Sequence, residues 1–291
     1  MPVDLHWPDD RTNYVLDDAS PPVIIASTKH ISKVPKSYTG QIYCMDDLPP
    51  QGKHDFQPMS LQDATSGVYC LYTSGTTGYP KGVVIEHRAL VKRIQWLQDN
   101  YSLAANDRVI NKTPYGLGIS EWEYFWALPR GATLVLTKPE GHMDTAYLYS
   151  VLVQEQIRTG FFVPSELNLL LDYMHAKNLE YTTNISYLFT CGEGLKPETC
   201  EQFSFKFDAR LINLYGPTES DMTYWEYPNN SMEKRITKVP IGKPISNTKV
   251  YILDEWMQPV PIGVPGQICF GTDFAARGYL NNPELTATHY V

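Results

Sequence analysis

No stretch of this chain approaches the roughly 20 consecutive apolar residues that a membrane-spanning helix requires. Its start, Met1-Pro2-Val3-Asp4-Leu5-His6, has no basic region leading into an apolar one. These absences argue against a membrane partner and make the cytoplasm the expected location. Cysteine is sparse: Cys44, Cys70, Cys191, Cys200 and Cys269 are odd in number, scattered and without a CxxC pair, so neither a disulfide framework nor a zinc site is suggested. Positive charge is in deficit, with 24 Lys and Arg against 32 Asp and Glu and a formal net charge of −8. That balance argues against a nucleic-acid partner, although a local basic loop still suits a nucleotide. Internal repeats and low-complexity tracts are also missing. What remains is a globular composition: 291 residues, 43% hydrophobic, enough for one large or two smaller domains.

Residues 1 to 66 hold short apolar pieces such as Val23-Ile24-Ile25-Ala26 between turns at Pro21-Pro22 and Pro49-Pro50, and read as the edge of something larger. From Arg88 to about Asn100 the pattern is helical, with Leu90, Val91, Ile94 and Leu97 on one face. Strand-like runs at Thr133–Leu136, Gly160–Val163, Tyr187–Thr190 and Arg210–Asn213 alternate with helical intervals, which predicts an α/β layered fold on a buried, mainly parallel sheet. Toward the end, Ile241–Pro244, Lys249–Leu253 and Gln267–Phe270 are short strands between Gly/Pro turns. They predict a small β-barrel or sheet subdomain. The expected division is a layered core over 1–235 and a β-rich subdomain over 236–291.

The segment Tyr72-Thr73-Ser74-Gly75-Thr76-Thr77-Gly78-Tyr79-Pro80-Lys81-Gly82 stands between two strand-like runs, Gly67–Tyr72 and Gly82–Glu86. Glycines let successive backbone N–H groups converge on an anion, the Thr and Ser hydroxyls add donors, and Lys81 adds a point charge. It is not a Walker loop, because Gly82 follows Lys81 where Ser or Thr is needed. A polar surface loop has a similar composition. A second motif, Asn213-Leu214-Tyr215-Gly216-Pro217-Thr218-Glu219, follows an apolar strand directly, at the end where open α/β sheets bind ligands. Tyr215 offers a ring to a base, Thr218 a hydroxyl to phosphate, and Glu219 a carboxylate to Mg²⁺. Gly192-Glu193-Gly194 also follows a strand and would let an adenine approach bare backbone.

Together with Ile241–Asp254 and Ala276–Thr286, these motifs closely resemble the adenylate-forming superfamily, specifically the adenylation domains of nonribosomal peptide synthetases. The resemblance implies a layered αβαβα core with a small β-barrel subdomain. It implies ATP and Mg²⁺ as cofactors, a small carboxylic acid as substrate, and phosphopantetheine on a partner carrier-protein domain beside further synthetase domains. In such enzymes the carboxylate attacks the α-phosphorus, pyrophosphate leaves, and the acyl-adenylate waits for the thiol. By resemblance, Thr73, Ser74, Gly75, Thr76, Thr77, Gly78 and Lys81 handle the departing phosphates. Gly192, Glu193, Gly194, Asn213, Tyr215 and Gly216 surround adenine, Thr218 meets the α-phosphate, and Glu219 helps to bind the metal. Thr218, Glu219 and Lys81 are thus the implied catalytic residues. His87 adjoins the loop, but an acid already ionised at neutral pH needs no general base.

Two departures matter. Where the family carries an aspartate for the substrate's α-ammonium, this chain has Gly118, within Tyr115-Gly116-Leu117-Gly118-Ile119-Ser120-Glu121-Trp122-Glu123. Ser120 and Glu123 read as a capping box, so the helix start is expected intact without its charged anchor. The other aligned pocket positions, Ile119, Trp122, Phe161, Phe189, Cys191, Leu214, Met222 and Thr223, are nearly all apolar. An unpartnered buried ammonium is costly, so an α-keto, α-hydroxy or aryl acid is expected. The same side chains equally suit ordinary core, and Asp221 or Glu121 nearby could pair an ammonium. The second departure is length: the resemblance implies family segments before residue 1 and a C-terminal lid domain after Val291, so the chain reads as a core incomplete at both ends. An exposed sheet edge and lowered solubility are expected from that. An acyl- or aryl-CoA ligase and a degenerate nucleotide-holding scaffold remain the alternatives.

Overall fold

The computed structural model describes residues 1–47, 63–74, 78–179, 184–220, 222–228 and 236–291. In chain order the helices are α1 (Asp9–Ala19), α2 (His87–Tyr101), α3 (Ser120–Ala127), α4 (Thr145–Gln154), α5 (Pro164–Ala176), α6 (Pro197–Lys206) and α7 (Pro283–His289). The strands are β1 (Val23–Ala26), β2 (Gln41–Cys44), β3 (Gly67–Thr73), β4 (Lys81–Glu86), β5 (Arg108–Asn111), β6 (Thr133–Leu136), β7 (Thr159–Phe162), β8 (Tyr187–Thr190), β9 (Arg210–Tyr215), β10 (Thr223–Glu226), β11 (Lys243–Pro244), β12 (Lys249–Leu253), β13 (Gln267–Gly271) and β14 (Gly278–Tyr279). Two compact units result, Val91–Ala275 and Met1–Leu90 with Ala276–Val291. Among the described residues no helix is long and apolar enough to cross a membrane.

The unit of residues 91–275 is built on a seven-stranded sheet in the order β11-β10-β9-β8-β7-β5-β6. Strands β5 to β9 run parallel, while β10 and β11 are antiparallel additions. Parallel neighbours need long crossovers, and α3 to α6 supply them, with Pro164 and Pro197 opening two of these helices where a missing N–H costs nothing. Side-chain alternation splits the core into two layers. Ile110, Phe162, Leu188 and Leu211 join Leu148, Leu152, Leu167, Leu170, Met174 and Phe203 from α4, α5 and α6. On β7 and β8, Phe161 and Phe189 meet an aromatic set from α2 and α3: Tyr101 lies 4.9 Å from Phe189, and Trp126 6.0 Å from it. A sheet covered on both faces explains why its strands read as continuous apolar runs.

Helix α2 corrects one expectation. Leu90, Ile94 and Leu97 are buried, but Val91 is 60% exposed, and Arg93 at 5% takes a place on the buried face. The reason is the 3.6-residue period: a stripe through 90, 94 and 97 passes through 93, not 91. The residues grouped as a β-rich subdomain over 236–291 distribute their strands among three sheets. β11 extends the large sheet through Thr223↔Pro244 and Tyr224↔Lys243, β12 and β13 form a hairpin-like pair, and β14 joins β4.

The other unit carries a parallel pair, β1 and β2, and the antiparallel sheet β14-β4-β3. Gly82 permits the close packing of that sheet, since a Cβ there would meet the Tyr72 ring at 3.0 Å, Cys70 Sγ at 3.1 Å and Leu280 Cβ at 3.2 Å.

Candidate active site

In the unit of residues 1–90 and 276–291, Tyr72 pairs with Gly82 and Thr73 with Lys81, so the glycine- and hydroxyl-rich segment closes a β-hairpin. Gly75, Thr76 and Thr77 lie outside the described residues. Ser74 is exposed, and Gly78 takes φ +89°, the left-handed region in which a Cβ is strained. Thr73 Oγ1 is buried without a hydrogen-bond partner, an exception to the rule that buried polar atoms are bonded. Lys81 Nζ donates to Tyr279 Oη at 2.8 Å and stands 4.4 Å from the centre of that ring. The sequence reading misses Tyr279 as a site residue, although it lies inside the motif at Ala276–Thr286. Behind the hairpin, Tyr72 Oη donates to Asp18 Oδ2 at 2.5 Å, and burial together with that carboxylate pushes the phenol's pKa up. Glu86, also buried, accepts from Arg88 Nε at 2.7 Å and Arg277 Nε at 3.0 Å.

In the unit of residues 91–275 the remaining candidates gather at the carboxyl ends of the parallel strands. Asn213 is buried near the end of β9; its Nδ2 donates to Pro240 O at 3.1 Å, and its Oδ1 accepts from Thr190 Oγ1 at 3.4 Å. Both polar groups of the Asn213 side chain are thus bonded within the protein, and Tyr215, 40% exposed, presents an accessible ring. Gly216 is exposed and Thr218 and Glu219 are half-buried in the turn that follows, closed by Ser220 N–H donating to Pro217 O at 3.2 Å. After β8, Gly192 takes φ +85°. Glu193 reaches across to the start of α5, where its carboxylate accepts from Ser165 N at 3.0 Å and Ser165 Oγ at 3.0 Å. It caps a helix whose own preceding residue, Val163, offers no side-chain acceptor. Gly194 has open space around it.

The pocket candidates divide. Trp122, Phe161 and Phe189 form one buried cluster: the two phenylalanine rings stack at 4.8 Å and 18°, with Trp122 edge-on to Phe161 at 5.5 Å. Leu214, Met222 and Thr223 are buried on β9 and at the start of β10, where Thr223 Oγ1 donates to Ile241 O at 2.6 Å. Gly118 and Ile119 are half-buried in the turn before α3. Burial pushes the Cys191 thiol up to about 12, so it is no thiolate near neutrality.

The expected capping box is not formed. Ser120 is the first residue of α3 rather than the one before it, and no side chain caps the helix. Glu123 turns instead to the end of β5, where it accepts from Asn111 Nδ2 at 2.5 Å, Thr113 Oγ1 at 2.6 Å and the N–H groups of Lys112 and Thr113 at 3.2 and 3.3 Å. Burial still raises its carboxyl to about 7. Glu121, 2% exposed, accepts from Trp122 Nε1 at 3.0 Å and from Arg93 Nη1 at 3.4 Å, and burial pushes it up to about 8. Asp221 lies outside the described residues. Lys112, missed from sequence, is buried at the same strand end, 2.5 Å from Glu166 and 4.3 Å above the Phe162 ring.

Comparison with known proteins finds a family model described as "AMP-binding enzyme" over residues 1–280. The chain is 35% identical over 298 residues to vanchrobactin synthetase VabF of Vibrio anguillarum, covering all of this chain and 10% of that protein. Among solved structures, the AMPPNP-bound form of the nonribosomal peptide synthetase FmoA3 matches with TM-score 0.86 at 23% identity, over all of this chain and 31% of that one. A four-domain nonribosomal peptide synthetase, holo-AB3403, solved bound to AMP and glycine, matches with TM-score 0.81 at 26% identity, over 98% of this chain and 20% of that one. The chain thus spans a minor part of these relatives.

Proposed function

Since this chain belongs to the AMP-binding enzyme family, we propose that it activates a small carboxylic acid with ATP, releasing pyrophosphate and retaining an acyl-adenylate for the phosphopantetheine thiol of a carrier-protein domain. The observation that carries this reading is the mouth of the β3–β4 hairpin, where Thr73, with its buried unbonded hydroxyl, stands in register with Lys81. An oxyanion of the β,γ-phosphates is the chemistry that would engage an open hydroxyl and an ammonium together. Thr73, Ser74, Gly75, Thr76, Thr77, Gly78 and Lys81 would hold those phosphates and neutralise the charge that develops as pyrophosphate leaves. Tyr215, with Gly192 to Gly194 and Gly216, would bound the adenine, and Thr218 would donate to the α-phosphate. No protein nucleophile is required; the substrate carboxylate forms the new bond to phosphorus as the bond to pyrophosphate breaks.

Glu219 would hold Mg²⁺. Among the described residues no group of three or more His, Cys, Asp or Glu gathers to hold a metal, which suits an ion that takes most of its ligands from nucleotide phosphates and water and asks the protein for one or two carboxylates. When bound, that ion screens phosphate charge.

The acid itself we read as one without an α-ammonium, an α-keto, α-hydroxy or aryl acid. Gly118 offers no carboxylate, and Glu121 Oε1 is engaged by Arg93 and Trp122. The glycine in the AB3403 structure favours an amino acid as the competing reading. ATP–pyrophosphate exchange with leucine, phenylalanine, their keto and hydroxy counterparts and benzoates separates them. Exchange with the keto, hydroxy or aryl acids alone supports the proposal; exchange with the amino acids overturns the substrate assignment; silence with every acid, together with no binding of a non-hydrolysable ATP analogue, overturns the activity. Transfer to coenzyme A in place of a carrier protein would mark an acyl-CoA ligase.

A further inference from the structure

We propose that Arg93 is a positioning residue that fixes the turn carrying Thr218 and Glu219, with Glu121 holding it in place. The inference rests on the function proposed above for that turn. Arg93 interrupts the apolar stripe of α2 and is only 5% exposed. Its Nη2 donates to the backbone carbonyl of Ser220 at 2.7 Å, and its Nη1 lies 3.4 Å from Glu121 Oε1. Glu121 is oriented in turn by the indole N–H of Trp122 at 3.0 Å. One guanidinium therefore links the second turn of α2, the first turn of α3 and the residue directly after Glu219. Its planar fork reaches the Glu121 carboxyl and the Ser220 carbonyl at once, which a lysine ammonium on a flexible stem does not reproduce.

Desolvating a guanidinium is costly for stability alone, because apolar residues of similar volume often serve a buried site as well or better. The segment that this carbonyl belongs to, Gly216 to Ser220 after the end of β9, is a turn outside helix and strand, in which Ser220 N–H donates to Pro217 O. An anchor at Ser220 limits where the Thr218 hydroxyl and the Glu219 carboxylate point. Positioning errors of that kind appear in the nucleotide terms of the rate.

Three variants of the full 291-residue chain test this: Arg93→Lys, Arg93→Met and the double variant Arg93→Met with Glu121→Leu. Each is read by amide hydrogen exchange over Gly216 to Ser220, by titration with a non-hydrolysable ATP analogue, by pyrophosphate exchange with KM for ATP separated from kcat, and by thermal unfolding. Expected are faster exchange at Gly216 to Ser220 in all three, and kcat/KM for ATP lowered roughly ten- to a hundredfold, the scale of one charge-assisted hydrogen bond. In the double variant, with both polar partners replaced, the melting temperature returns toward wild type while the exchange and the ATP defect persist. Recovery of both in the double variant, or unchanged amide exchange in the single variants, makes Arg93 a stability element and overturns the proposal. Wild-type chain inactive with every acid counts against the proposed function alone, because the amide-exchange comparison still decides whether Arg93 fixes the turn.

Discussion

Lys81 and Tyr279 illustrate what a single residue contributes here. The lysine is legible in sequence as the cation of the loop, but its resting partner is 198 positions away, on β14. Substituting Lys81 with Ala is expected to lower pyrophosphate exchange by a hundredfold or so, since a charge-assisted contact in a phosphate site is worth roughly 1.5–3 kcal/mol and its loss leaves developing charge unscreened. Tyr279→Phe removes the 2.8 Å bond and keeps the ring under the ammonium. It should change KM for ATP by a few-fold at most, and a loss equal to that of Lys81→Ala would show that the hydroxyl itself meets substrate. At Phe161 the expected effect is on stability: the ring is stacked on Phe189 and faced by Trp122, so Phe161→Ala should cost about 3–5 kcal/mol in urea unfolding. The local sequence named Lys81 and Phe161 as candidates, but it carried no sign that one rests on a tyrosine or that the other sits in a three-ring cluster. Those facts depend on chain segments that sequence separation hides.

Elements respond to pH and to packing in ways that follow from their junctions. Where β5 meets α3, Glu123 is buried with its carboxyl raised from 4.5 to about 7, burial being the main cause and the donors at Thr113, Lys112 and Asn111 opposing it. The folded state therefore binds this proton more tightly than the unfolded chain. Its contribution is fully present below about pH 4.5 and is lost as pH rises through about 7, on the order of 3 kcal/mol in total. Melting temperature measured from pH 5 to 8.5 should fall with a slope that Glu123→Gln flattens; an unchanged slope in that variant would assign the dependence elsewhere. The β3–β4 hairpin has a steric limit instead. Gly82→Ala places a Cβ within 3.0 Å of Tyr72 and 3.2 Å of Leu280, an overpacking expected to cost about 1–3 kcal/mol in chemical denaturation. Most elements were readable from period and composition: β6, β8 and β12 coincide with the apolar runs that announce them, and α2 differs by one residue at each end. Reading the start of α3 failed, because Ser120 and Glu123 satisfy a capping-box spacing while the nearby β5 end offers Glu123 four better-placed donors.

For the whole molecule, the informative feature is that Ala276–Val291 belongs to the same compact unit as Met1–Leu90. Within that unit β14 completes the sheet beside β4, Arg277 binds Glu86, and Asn281 Nδ2 donates to Asp18 O at 2.6 Å. A chain ending at Ala275 should show at least tenfold faster amide exchange in β3 and β4, with β7 to β9 keeping their wild-type protection. Equal loss in both sets would mean that the two units unfold as one. Sequence alone determined the kind of protein: the parallel α/β sheet from its apolar runs, and the loop and turn motifs from their Gly, Thr and Lys content. These are local signals, set by backbone freedom, side-chain period and the chemistry of a few adjacent residues. The tertiary structure alone decided which partner each buried charge takes, that residues after 275 return to β4, and that Arg93 meets Ser220 across 127 positions. Burial makes an unpaired charge costly, but the identity of its partner depends on which segments the fold brings within 3 or 4 Å, and no local pattern encodes that.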